Sequence, residues 1–534
     1  MVLSRMHAFE KLALHDDSHS AHMISSHSPK SSVAPNQRTV SKGFWEKLAL
    51  GVFLSLGLWA RVHEIGKQSL WIDEAYSLDL AQKGFSEIVR ETARDNHPPL
   101  HYLLLACWNR LEPASESWPR LLSALLGTLL IFAFYEFCCE VASGWVPIIA
   151  TGLISISPLA VWHSQDARMY SLMLTVTYLA LVFQLRYLRL GNPVWLVSSV
   201  LMLIASLYTH IYAIFVLPAL VVHLLLVERF SQPRRTRLAL IGIAVTVGAF
   251  LPWIYVVATS AMHEAGFYKP ITWLTIPYAG YAFSVGYSLG PSVTSLHQVW
   301  REASLWSHLG PIVALTAAAF GIPCMVGVFR ARKILGRFRF LVGGLALCPI
   351  LLPIMVTFAS RIDFNARYAI LAFPVFLLFI AMGLVEIPSH SLRFTTGAVI
   401  VALMVVSLWN YYEDVTYAKE DSREAVRLVS RQWRDGDCLL VIGVGPAFKY
   451  YAGSALTSHW LDFRSENRLV ETKRALQDWS GTCSRLWFVA GREWEADPAE
   501  LAIPTIETYF IRVSEESVPG IRILQLLPRR RVAS

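Results

Sequence analysis

Residues 70–80 read LWIDEAYSLDL and residues 97–101 read HPPLH, a polar segment set between long apolar runs. Asp73 and Glu74 are adjacent carboxylates just past the first of those runs. Carboxylates held at a membrane edge cost free energy unless they have a partner or a task. The meaning of this stretch therefore depends on whether its flanks cross a bilayer.

The composition says that they do. Of 534 residues, 54% are hydrophobic and only 16% charged, against roughly a quarter charged in soluble domains. Apolar runs recur at 45–62, 119–140, 146–163, 170–188, 194–211, 212–228, 238–258, 307–329, 338–358, 367–386 and 394–411. Each is near the ~20 residues that a bilayer requires, which predicts about eleven transmembrane helices. The piece 98–111 is shorter and reads as a juxtamembrane or re-entrant helix. The 18 Trp, 20 Tyr and 27 Phe suit interfacial belts and ligand pockets.

Charge placement sets the orientation. The net charge is +8, and Arg186, Arg189, Arg229, Arg234, Arg235, Arg237, Arg330, Arg332, Lys333, Arg337 and Arg339 fall in alternate short connections. The positive-inside rule puts those connections in the cytosol, and they are topology signals instead of a nucleic-acid surface. The loops at 63–118, 163–169, 209–213, 259–306 and 359–367 then share the outer face with everything after about residue 412. Residues 1–42, rich in Ser, His and Lys, read as a disordered cytosolic tail. They carry no signal-peptide cleavage pattern, so the first span is expected to be retained.

From 412 to 534 the chain becomes charged and alternating. EDSREAVRLVSRQW (420–433) reads as an amphipathic helix, and DCLLVIGV (437–444) and RLWFVAG (485–491) read as buried strands. The expectation is a small extracytoplasmic α/β domain acting as a structural cap. GVGP at 443–446 is not a dinucleotide fingerprint, because the third glycine is missing and Pro446 replaces an amide donor. The seven cysteines form no zinc signature. Cys438 and Cys483 could pair in an oxidising compartment.

Parity gathers several polar groups beside Asp73 and Glu74. An acceptor hydroxyl needs a carboxylate to take its proton, and a divalent metal would need carboxylate oxygens such as those of Asp73 and Asp166. The same pair also suits a solvated turn or helix cap. Trp71 and Tyr76 favour stacking on a ligand. His97, aimed by two prolines, can donate to a phosphate, although HPPLH is also a helix start. In SPLAVWHSQDARMYS, Gln165, Asp166, Arg168 and Tyr170 combine an acid with an arginine, fit either for ligand binding or for a local ion pair. Tyr208, His210 and Tyr212 break two apolar runs, which a tight helical hairpin also explains. Arg361, Asp363, Arg367 and Tyr368 precede another run, where an arginine either clamps phosphate or snorkels to headgroups. Lys269 in GFYKPI is an isolated cation.

The order of these motifs resembles the GT-C membrane glycosyltransferases. The acidic pair, HPPL, RLLSALLG at 120–127, SQDARMY, YTH and RYAILAFP are similar to the family 39 group. That group includes the protein O-mannosyltransferases, the aminoarabinose transferases that modify lipid A, and bacterial transferases acting on lipopolysaccharide. The likeness covers roughly 45–411. It implies a polytopic α-helical fold, a polyprenyl-phosphate sugar donor, transfer on the outer face of the plasma membrane, and inversion at the anomeric carbon. It also implies roles for individual residues. Asp73 would be the base, supported by Glu74, and Asp166 the second-loop acid. Arg168, Arg367 and His97 would contact the donor phosphate, while Tyr76, Gln165, Tyr170, His210 and Tyr368 would line the substrate pocket. O-mannosyltransferases usually carry an inserted sugar-binding domain, and the 48 residues of 259–306 are too few for one. A lipid or glycan acceptor is therefore expected over a protein. The rival class is a transporter or flippase of lipid-linked sugars, which should place its polar residues near mid-span within inverted repeats.

Overall fold

The computed structural model describes residues 37–529 except 96, 113–114, 261–274, 293–294, 296–302, 361–364, 460, 462 and 464–468. Most of the expected N-terminal tail, Lys269, Arg361 and Asp363 lie outside the described residues. The described part of the first unit, from Gln37 to Lys47, is helical. Leu48–Ser534 forms a single compact unit, so the membrane part and the C-terminal domain fold against each other.

The helices follow the apolar runs. They are α1 (Gln37–Val62), α2 (Ile72–Ala81), α3 (Phe85–Arg94), α4 (Leu100–Asn109), α5 (Ser117–Val141), α6 (Val146–Ser155), α7 (Pro158–Ser164), α8 (Tyr170–Leu190) and α9 (Pro193–Thr209). After a 3-10 turn come α10 (Leu217–His223) and, beyond a π-helical turn, α11 (Pro233–Ser260) and α12 (Thr275–Val285). The membrane part closes with α13 (Ala303–Leu335), α14 (Arg339–Ser360), α15 (Phe373–Glu386) and α16 (His390–Glu413). The short apolar piece 98–111 is α4, ten residues long and too short to cross.

Seven described helical runs are long and apolar enough to cross a membrane, or eight if the bent pair α6–α7 is one span. All eleven expected runs are helical, and three features account for the lower count. α9 has only 17 residues. α1 carries Glu46, Lys47 and Arg61 in its apolar stretch. Residues Ser307–Phe358 run as one 52-residue helical stretch, interrupted at Gly336, whose φ of 52° lies in the left-handed region. α13 then packs along α15, and α14 along α10.

Two polar layers bracket the apolar core. Arg120 near the start of α5 is buried against Glu74 and the Ile65, Gln68 and Ser69 carbonyls. Near its other end, Glu136 pairs with Arg186, and Glu140 lies 2.7 Å from Arg189. Twenty residues at about 1.5 Å each separate Arg120 from Glu140 by about 30 Å, the thickness of a hydrocarbon core. The basic connections thus sit at the end of the bundle opposite Asp73.

The break between α6 and α7 at Ile156–Ser157 bends the span by 53° and strands backbone carbonyls. Buried Arg61 supplies the missing donors, to Ser155 O at 3.0 Å and Ile154 O at 3.3 Å, and reaches Ser164 Oγ at 3.1 Å. A Cβ on Gly127 would lie 2.0 Å from that Ser164 Oγ, so only glycine lets α5 approach here. Gln165 is turned the same way. Its amide donates to Ala60, Arg61 and His63 carbonyls and caps the end of α1, away from the pocket that the sequence assigned it.

The C-terminal domain is a four-stranded sheet in the order β1-β2-β4-β3. β1 (Asp437–Ile442) and β2 (Arg485–Gly491) are the two expected strands and pair in parallel. β3 (Phe510–Val518) and β4 (Ile521–Pro528) add an antiparallel hairpin that the sequence reading had not separated. Because side chains alternate along a strand, Leu439 and Val441 pack on α17 (Ser422–Gln432) and α18 (Gly445–Ala452). Leu440 and Ile442 face the opposite way, with Leu476 of α19 (Leu469–Thr482). Cys438 and Cys483 form a disulfide across 45 residues, with Cα atoms 5.7 Å apart. Closing a loop of that length typically stabilises a domain by about 2–4 kcal/mol. Cys438→Ser should therefore lower the thermal midpoint of the domain under oxidising conditions and leave it unchanged under reducing ones. Equal midpoints in oxidising buffer would contradict this assignment.

Candidate active site

α2 begins with Asp73 and Glu74 in its first turn, where the helix N-terminus favours anions. The helical twist separates their fates. Glu74 points inward and is fully buried. Its Oε1 accepts from Arg120 Nε at 2.7 Å and from the Ala167 amide at 3.0 Å. Its Oε2 accepts from Arg120 Nη2 at 2.6 Å and from the Trp71 amide at 3.4 Å. The remaining Arg120 donors go to the Ile65, Gln68 and Ser69 carbonyls. Every oxygen of Glu74 is engaged, so it acts as a clamp between α2, α5 and the 165–169 loop.

Asp166 lies behind this clamp. Lys419, on the connector leading into the C-terminal domain, hydrogen-bonds Asp166 Oδ1 and lies 3.6 Å from Glu74 Oε2. Its ammonium sits 5.8 Å from the Trp71 ring and 5.4 Å from the Trp162 ring. Two carboxylates and two cations thus form a neutral buried cluster. Burial would raise the Glu74 carboxyl, but Arg120 and Lys419 outweigh it and hold it at about 2.

Asp73 points the other way and keeps a quarter of its side chain exposed. Its Oδ2 accepts from Arg367 Nη1 at 2.9 Å. Arg168 Nη1 donates to the Asp73 carbonyl at 3.2 Å, to Ser77 Oγ at 2.9 Å and to Tyr102 Oη at 3.4 Å. Burial alone would raise the Asp73 carboxyl, but the guanidiniums of Arg168, Arg367 and Arg492 hold it at about 2. Both Arg168 and Arg367 retain a buried Nε without a hydrogen-bond partner among the described residues. A buried, unpaired N–H on a cation is costly, and these two belong to the arginines that flank Asp73.

Aromatic side chains wall this place. Tyr170 lies 6.0 Å from His210, which lies 6.3 Å from His97 and 5.2 Å from Tyr212. Tyr212 packs at 5.0 Å on Tyr368, the neighbour of Arg367. The half-buried Tyr76 hydrogen-bonds Asp95, which also accepts from His97. The sequence candidates Asp73, Tyr76, His97, Arg168, Tyr170, His210, Arg367 and Tyr368 therefore surround one site. Glu74 and Asp166 stand behind it, and Gln165 is directed elsewhere.

Four groups escaped the sequence reading: Arg120, Tyr102, Lys419 and Arg492. Arg492 follows β2 with φ of 46°, a left-handed conformation uncommon for a side-chain-bearing residue, and lies 6.0 Å from Trp71. The GRE tripeptide after a strand was the only signal for it.

Both carboxylates that the sequence offered to a divalent metal are paired with cations. Asp73 is engaged by Arg367, and Asp166 by Lys419. Among the described residues no group of three or more His, Cys, Asp or Glu converges on one point.

Residues 96–256 match the family model described as dolichyl-phosphate-mannose-protein mannosyltransferase. The match includes His97, Asp166, Arg168, Tyr170 and His210. No curated protein sequence matches the chain. Among solved structures, ArnT from Cupriavidus metallidurans in the apo state is similar at TM-score 0.53 and 13% identity, covering 91% of this chain and 98% of that one. The same enzyme bound to undecaprenyl phosphate gives TM-score 0.50 and 14% identity, over 92% and 99%. An Archaeoglobus fulgidus oligosaccharyltransferase, tethered with an acceptor peptide containing the NVT sequon, gives TM-score 0.52 and 12% identity, over 92% and 75%. At such identities what is shared is the fold, and it is the polytopic GT-C fold that the motif order implied.

The Asp73–Arg367 pair carries a pH prediction. A carboxyl held near 2 stays ionised as pH falls through about 4, the ordinary carboxylate range. Any contribution of its charge to stability is likewise present above that range and lost only as pH falls towards 2. The profile of kcat/KM, which reports the free enzyme, should show no acid limb from Asp73 at about pH 4. Arg367→Gln removes one lowering charge while burial remains, so an acid limb should move up into the measured range. A limb near pH 4 in the wild type that Arg367→Gln leaves in place would contradict the pairing.

Proposed function

We propose that the chain is a membrane glycosyltransferase that moves a sugar from a polyprenyl-phosphate donor to a hydroxyl of a lipid or glycan acceptor, at the extracytoplasmic face of the plasma membrane. The observation that carries this reading is one ionised carboxylate, Asp73, between two arginines with unpaired buried Nε atoms. ArnT with undecaprenyl phosphate shares the fold, and the partial family match concerns transfer from a dolichyl-phosphate sugar. Those likenesses support a lipid-phosphate donor.

The chemistry follows from charge. The donor phosphate lies between Arg168 and Arg367, with His97 beside it. Their charges stabilise the monophosphate as it leaves with the electron pair of the broken C1–O bond. The acceptor oxygen forms its bond to C1 from the opposite face and inverts that centre. Asp73 accepts the acceptor's proton. A carboxyl near 2 is a weak base, but phosphate draws Arg367 away from it and lets its pKa rise. Binding of the donor therefore prepares the base. Glu74 and Asp166 act indirectly, by holding α2 and the 165–169 loop in register.

Of the two carboxylates that the sequence offered to a metal, Asp166 is neutralised by Lys419 and Asp73 by Arg367, which supports a reaction without a divalent metal. Polar groups gathered at one end of the bundle favour transfer over transport, which needs them near mid-span.

Membranes containing the wild type should transfer label from a polyprenyl-phosphate sugar to lipid or glycan. Asp73→Asn should lower the rate by about two to four orders of magnitude, the usual contribution of a base, with expression and thermal midpoint retained. Unaltered transfer in that variant would remove Asp73 from the reaction. Separately, EDTA should leave the wild-type rate within about twofold, the scatter expected when no tenfold, 1.4 kcal/mol effect is present. Loss of activity restored by Mg²⁺ or Mn²⁺ would overturn the metal-free reading.

A further inference from the structure

A cavity of about 520 Å³ lies between α2 and the C-terminal domain. Tyr76, Asp79 and Gln82 line it from successive turns of α2, and Lys449, Tyr450 and His459 line it from the domain. The GVGP segment forms part of the same wall through Gly445 and Pro446. That segment is locally constrained, since a Cβ on Gly443 would meet Gly491 O at 1.7 Å. The volume falls within the roughly 300–1,000 Å³ of small-ligand sites.

Three features decide what this cavity suits. The first is position. Tyr76 is one helical turn after Asp73, so the cavity opens along the helix that carries the proposed base. Tyr76 also belongs to the arginine pocket, through its bond to Asp95 beside His97. The second is lining chemistry. Two tyrosines offer flat, apolar faces with polar rims. Asp79, Gln82, Lys449 and His459 supply both donors and acceptors, as vicinal hydroxyls require. The third is charge. The donor site presents two guanidiniums, whereas here one ammonium stands with a carboxylate already paired to Lys83 at 3.5 Å. This array suits a neutral, hydroxyl-rich ligand over a second phosphate.

We propose that this cavity seats the glycan portion of the acceptor, placing its reactive hydroxyl towards Asp73, an inference that rests on the glycosyl-transfer reading. On this account the C-terminal domain selects the acceptor, beyond the role of a cap.

Saturation-transfer NMR on the full chain in nanodiscs provides a direct test. The probes are methyl glycosides of glucose, mannose and N-acetylglucosamine. At least one should receive saturation from the wild type and lose it in Ser458→Trp, whose indole fills the cavity beside His459. No transfer to any of the three, or transfer that persists in Ser458→Trp, would overturn the proposal. Kinetics give an independent arm, with membrane lipid extract as acceptor. The double variant Lys449→Ala/Tyr450→Ala should raise the acceptor KM about tenfold while the donor KM holds. A rise in both, or in neither, counts against the cavity. Absence of sugar transfer by the wild type would strike the transferase reading itself, while the NMR result would still decide the cavity.

Discussion

The buried pairing of Glu74 with Arg120 is the interaction on which the Asp73 end of this protein depends. Taking two charges out of water costs several kcal/mol per ion, offset only where geometry and hydrogen bonding are close to complete. Here every donor of Arg120 and both oxygens of Glu74 are used. Lys419 and Asp166 extend the pair into a neutral set of four. The cluster joins α2, α5, the loop after α7 and the connector to the C-terminal domain. Losing any one member would leave an uncompensated charge, a defect of about 3–5 kcal/mol. That constraint fixes where α2 begins, and thereby where Asp73 points.

From that fixed helix the functional logic follows as a competition for arginine. Asp73 and an incoming phosphate both need Arg367, and Arg168 reads the backbone and Ser77 of the same helix. In the free protein the carboxylate holds the guanidinium. On the proposed reading the phosphate takes it in the donor complex, and the carboxylate becomes a better base. One rearrangement thus couples donor binding to activation of the acceptor. The C-terminal domain participates through Lys419, through Arg423, which bonds Glu116 at 2.6 Å, and through Tyr451, which accepts from the Leu70 amide at 2.8 Å. These contacts tie the domain to the segments that carry Asp73 and Asp166.

Much of this was legible in the sequence, for identifiable reasons. Apolar runs of bilayer length and alternate basic loops placed Asp73, Asp166, Arg168, His210 and Arg367 at one end of the bundle, where the structure also has them. The strands 437–442 and 485–491 were visible because a buried parallel strand reads as a continuous apolar run. The hairpin 510–528 was not, since its first strand is half exposed and charged. The expected apolar runs all became helices, although some are short, charged or continuous with a neighbour. Lys419 was invisible because its partner Asp166 lies 253 residues away, and nothing local distinguishes a buried lysine from a surface one. Asp73 and Glu74 are alike as residue types, and where the resemblance gave the leading role to Asp73 and support to Glu74, the helical twist turns them to different sides of α2. Gln165 lies beside Asp166 in the chain but caps α1, a pairing set by tertiary packing alone.

The central claim, that Asp73 and the donor phosphate compete for Arg367, is tested most directly by equilibrium binding of polyprenyl phosphate to the protein in nanodiscs. The account predicts that Asp73→Asn binds the lipid phosphate more tightly than the wild type does, because the competing charge is gone. Arg367→Ala should bind it more weakly in either background. Equal or weaker binding by Asp73→Asn, with the fold retained, would contradict the account.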